Sequence, residues 1–289
     1  MGFADGLRAI LGARGNVPAH PIKTGTGFAV SGWRGALAIG NPWMETTLLT
    51  PGEEEAGQPL HSVPAIIQVE ARKARAGSVA IQFADGSGTV IAAIDGYVGT
   101  VVVDGGGVTN VSYVRSQENG LWPDYERKRA RLDQLRATVG TAARFGVFRI
   151  EGERETRTKR ARQLGDAIRI LNDIDATLGL YAAYAYADAD LSDEVRSVRS
   201  LMHQTLNADL FDVAMLSGIL SGKRSDDGDD PVPFCPMLSQ GWNLLRVKDV
   251  RLLPEIEEAR YHLRPALWTT FDPEGMRIIL KALRSGRLR

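Results

Sequence analysis

The sequence predicts an α+β protein: an N-terminal antiparallel β-sandwich or partly open barrel, followed by an all-α domain of helical hairpins arranged like a solenoid. Two observations carry this. Between Thr24 and Ser116 the chain breaks into short runs rich in β-branched and aromatic residues, separated by glycine, proline and Asp-Gly pairs, which is how strands and tight turns are written. From Pro123 onward the apolar residues recur at nearly every fourth position, the period of a helix that buries one face. Three segments result: an amphipathic N-terminal segment over 1–19, a β-rich domain over 20–116 and a helical domain over 117–289. A chain of 289 residues is long enough to give two of these a core of their own.

The first segment sets Phe3, Leu7, Ile10 and Leu11 on one side of a short helix. It lacks the basic leader, long apolar stretch and small-residue cleavage site of a signal peptide, so it reads as a lid or docking helix. Strands are expected at Thr26 to Ser31, Gly35 to Ile39, Thr46 to Leu49, Ala65 to Ala71, Ser78 to Ala84, Thr89 to Ile94, Val98 to Val103 and Val108 to Val114. Asp85-Gly86 and Asp104-Gly105-Gly106-Gly107 stand between consecutive runs and supply the positive φ that tight hairpins need. The run Ser78 to Phe83 alternates more cleanly than Ile66 to Ala71 and is placed against the core.

In the helical domain Trp122, Tyr125, Leu132, Leu135, Val139, Ala142 and Phe145 share one face of a long connecting helix, while Arg127, Lys128, Arg131 and Arg136 mostly fall elsewhere. A second helix is marked by Leu164, Ile168 and Leu171. Thr177 to Ala187 is almost wholly apolar or small, as expected of a central helix with neighbours on several sides. Ser192 reads as the cap of the next helix, and Leu210 to Leu220 as a further one. The last is the best marked, with Asp272 as N-cap, Pro273 as first residue, Met276, Ile279, Leu280 and Leu283 as its apolar face and Gly286 as its stop.

Composition narrows the function classes. Lysine plus arginine equals aspartate plus glutamate at 35 each, so no global field draws the chain to nucleic acid or an anionic membrane. The single cysteine excludes an internal disulfide and, with no apolar stretch of spanning length, points to the cytoplasm. Neither the one cysteine nor the four histidines show metal-ligand spacing, and no cofactor motif is present. Gly218 to Ser225 departs from a phosphate loop because its glycines stand too close and Arg224 takes the place of the magnesium-binding hydroxyl.

Three local features remain as candidates. Arg127, Lys128, Arg131, Arg157, Lys159 and Arg160 form two basic runs, an interaction patch for an acidic partner or nucleic acid if the segments pack together. Ser221 to Pro231 is a polar joint with almost nothing to bury, in which Lys223 and Arg224 are the cleavage-prone positions. Cys235 is a reactive-thiol candidate, which would need an activating histidine brought to it by the fold. No catalytic residue is assigned.

Six strings are less generic than core text: Asp95 to Val103, Asn110 to Val114, Arg144 to Arg149, Leu178 to Tyr186, Phe234 to Trp242 and Pro265 to Phe271. Together they resemble the accessory region that accompanies bacterial caspase-like peptidases, over most of residues 20–286. The resemblance implies a non-catalytic interaction or regulatory module in a stress or defence system, the partner or the substrate of a caspase-like protease. The paired strand-end motifs from which a caspase dyad is built are missing, so the resemblance transfers no catalytic residue. The alternatives are a cysteine hydrolase using Cys235 and nucleic-acid binding through the basic runs.

Overall fold

The computed structural model describes residues 25–31, 37–40, 44–49, 65–71, 75–117, 175–222 and 231–288, with scattered helical positions between 122 and 162. Eight strands form where the alternating text stands: β1 (Thr26–Ser31), β2 (Leu37–Gly40), β3 (Met44–Leu49), β4 (Ala65–Ala71), β5 (Ala76–Gln82), β6 (Gly88–Ile94), β7 (Tyr97–Asp104) and β8 (Gly107–Arg115). They make a five-stranded sheet in the order β3-β4-β1-β7-β8 and a three-stranded sheet in the order β2-β5-β6. The sheets do not close into a barrel.

The Asp-Gly turns do what their chemistry dictates. Gly86 at φ 84° closes the β5–β6 hairpin, and Gly105 and Gly106 at φ 60° and 84° close β7–β8. The expectation of a purely antiparallel module is corrected at one pair, because β1 runs antiparallel to β4 but parallel to β7. A parallel neighbour needs a long crossover, and the whole of β2 to β6 lies between these two strands. At that pair Phe28 lies opposite Gly99, where an added Cβ would come within 2.5 Å of the ring. A side chain there would displace Phe28 from the core.

Burial explains which faces the strands use. In β4, Ile67 and Val69 are buried while Gln68 and Glu70 face out, the half-buried alternation of a covered sheet. In β5 the interior is buried on both faces, and β6 is buried along its whole length. One face meets the large sheet, where the Tyr113 hydroxyl of β8 donates to the Ala92 carbonyl of β6 at 2.7 Å. The other is covered by the C-terminal helix, whose Met276 lies against Gly88.

The described helices of the second half are α1 (Ala176–Asp188), α2 (Ser192–Leu206), α3 (Phe211–Ser217), α4 (Gly241–Leu244), α5 (Pro254–Ala259), followed by a 3-10 turn (Arg260–His262), and α6 (Pro273–Arg284). Every residue of α1 from Ala176 to Tyr186 is buried. Its cap is Asp175, which accepts from the amides of Thr177 and Leu178, whereas the expected cap of α2, Ser192, is instead its first residue behind an uncapped Leu191. α6 starts on Asp272 as expected, with that side chain accepting from Glu274 and Gly275.

The second half is helical as expected among the described residues, and its later helices are joined by bridged loops. After α3 the chain forms short helices joined by irregular segments, and parts of these pair like strands: Leu210 with Val232, Leu238 with Trp268, Leu263 with Phe271, and Phe271 with Gly88 of β6. The reason lies in the strings themselves, since Val232 to Pro236 and Pro265 are proline-broken and cannot continue a helix. Residues of both halves belong to one apolar cluster.

Candidate functional site

The most concentrated polar chemistry among the described residues is buried around Asp212, in the first turn of α3. The entry to that helix is set by a parallel bridge, in which the Phe211 amide donates to the Val232 carbonyl and the Val232 amide to the Asp209 carbonyl, each at 2.8 Å. This brings the segment after Val232 across the helix start. Its Met237 amide donates to Asp212 Oδ2 at 2.8 Å and its Leu238 amide to Oδ1 at 3.2 Å. From α1 the Tyr184 hydroxyl donates to Oδ1 at 2.5 Å. A Cβ on Gly241 would lie 2.4 Å from that hydroxyl, so the start of α4 must be glycine for the cluster to close.

Thr269 extends the network. Its hydroxyl accepts from the Trp242 indole N–H at 2.8 Å and donates to the Pro236 carbonyl at 2.7 Å. Its main chain receives the Thr89 hydroxyl of β6 at 2.6 Å and donates to the Met237 carbonyl at 2.7 Å. Next to it Thr270 accepts from the Val108 amide of β8 at 2.9 Å. The strings Leu178 to Tyr186, Phe234 to Trp242 and Pro265 to Phe271, far apart in the chain, thus meet at one buried polar knot, with edge-on packing of Tyr181 on Trp268 and Trp242 on Phe271.

The electrostatics follow from the burial. Asp212 has no exposed surface, and burial pushes its carboxyl up to about 6 against the opposing pull of the Tyr184, Met237 and Leu238 donors. Burial, then the Asp212 carboxylate beside it, pushes the Tyr184 hydroxyl well above its ordinary value. Cys235 is fully buried, and burial followed by the same carboxylate raises its thiol too. These surroundings oppose a thiolate, because a nucleophilic cysteine is made by nearby cations and partial exposure. The described histidines pair elsewhere, His203 with Asp209 at 3.4 Å and His262 with Asp272 at 3.2 Å.

Three of the other sequence candidates are described. Arg127 is exposed and Lys128 half-buried on helical chain, and Lys159 is exposed on another helical stretch. Arg131, Arg157, Arg160, Lys223 and Arg224 lie outside the described residues. Arg136, one of the four cations that mostly fall off the apolar face in the sequence, is drawn inward: it forms an ion pair with Asp175, and its guanidinium also donates to the Tyr113 carbonyl at 2.6 Å. Among the described residues no group of three histidine, cysteine or acidic side chains is placed to hold a metal ion, and no helix is long and apolar enough to cross a membrane.

Two large side chains of the second half stand well exposed among the described residues. Tyr261, in the 3-10 turn, is 87% exposed and Val247, just after α4, is 78% exposed. The turn is fastened on both sides of the tyrosine: Arg260 donates to the Trp242 carbonyl at 3.1 Å, His262 meets Asp272, and Arg264 reaches Asp85 and the Gly106 carbonyl at 3.0 Å each. Neither residue was singled out in the sequence, where exposure of an isolated tyrosine or valine leaves no periodic mark. No protein-family model, curated protein or solved structure matches the chain.

Proposed function

We propose that this chain is a non-catalytic protein-interaction or regulatory module that works with a bacterial caspase-like protease in a stress or defence system, as its partner or its substrate. The observation that carries the interaction reading is Tyr261, a large side chain left 87% exposed on a turn that the scaffold holds at Arg260, His262 and Arg264. Rigidly presented tyrosines are the typical anchors of protein interfaces, since little conformational freedom is lost when they are covered. The knot around Asp212 adds to this reading, because its acid, hydroxyl and amides bond to one another and make a stiff platform. The choice of a caspase-like protease rests on the resemblance of the six strings.

The test is co-purification. A tagged chain recovered from its native cells is expected to bring a caspase-like peptidase with it, and the pure peptidase to bind or cut the purified chain. A peptidase that neither binds nor cuts it removes the proposal.

A further inference from the structure

We draw no further inference here: the strongest candidate, the exposed surface patch at Tyr261 on the 3-10 turn between α5 and α6, belongs to the interaction reading already given, and nothing in the structure shows what covers it.

Discussion

Asp212 should make this protein gain stability on mild acidification, opposite to the usual behaviour of a native carboxylate. Its folded carboxyl titrates at about 6 against an ordinary value of 3.8, with burial as the leading cause. The folded chain therefore holds this proton more tightly than the unfolded chain does. The stabilisation is complete below the unfolded value and disappears as the pH rises through about 6. A difference of about two pKa units corresponds to about 3 kcal/mol over the full range, of which about 1 kcal/mol accrues between pH 7 and pH 5.

The assay is urea unfolding of the wild type and of Asp212→Asn at pH 7, 6 and 5. Other titrating pairs, among them His203 with Asp209 and His262 with Asp272, are present in both proteins and drop out of the difference. The asparagine cannot ionise, and its amide sets a donor against the Met237 amide or against the Tyr184 and Leu238 donors. An unmet buried donor costs about 1–3 kcal/mol, set at neutral pH against the relief of removing a buried charge. Whatever that balance, the stability advantage of wild type over variant should grow by about 1 kcal/mol from pH 7 to pH 5. Parallel pH profiles for the two proteins, or an advantage that shrinks on acidification, would refute the assignment of a buried, proton-binding Asp212.

Three further outcomes test the same structure. Arg136→Ala strands the buried Asp175 carboxylate and the Tyr113 carbonyl and should lower unfolding stability by about 3–5 kcal/mol. Arg196→Ala, at an exposed pair with Asp193, should cost less than about 1 kcal/mol, and similar losses for the two would contradict the buried pair. A thrombin site placed between Gly222 and Pro231 should give, after cutting, two fragments on a denaturing gel that still elute together in native gel filtration. The ends stay fastened by Gly222 to Asp249, Phe211 to Val232 and the Met237 and Leu238 amides to Asp212, so separation in native buffer would refute that anchoring. Cys235 should resist a thiol reagent in the native protein and react fully in denaturant; fast native labelling would restore the hydrolase reading.

Most of the fold was legible because it was written locally. The runs from β5 to β8 are joined through the glycines their turns need, and Asp272, Pro273 and Gly286 mark both ends of α6 within its own text. What depended on distant partners was not. The parallel pairing of β1 with β7 leaves no trace in either strand, since both read as short β-branched runs whichever neighbour they take. The burial of β5 on both faces follows from α6 packing on a sheet far from it in sequence, which the alternation within that strand does not foretell.

The polar residues show the same limit more sharply. In the text Phe211-Asp212-Val213 the acid is what any helix start carries, where it favours the dipole without leaving the surface. Arg136 likewise lies among arginines of a basic helix, and nothing in their order separates it from Arg127. What distinguishes each is a set of partners that only the fold assembles: Tyr184, Met237 and Leu238 for Asp212, Asp175 and the Tyr113 carbonyl for Arg136. A buried charge is tolerable only when such partners are complete, so these two residues bind together segments that the sequence reading treated separately. Asp212 joins α1, α3 and the chain before α4, and Arg136 joins β8 to the start of α1. A variant at either position therefore tests whether those segments depend on one another: coupled losses in a double-mutant cycle of Asp212→Asn with Thr269→Val would show a single network, and strictly additive losses would show that the knot is two independent contacts.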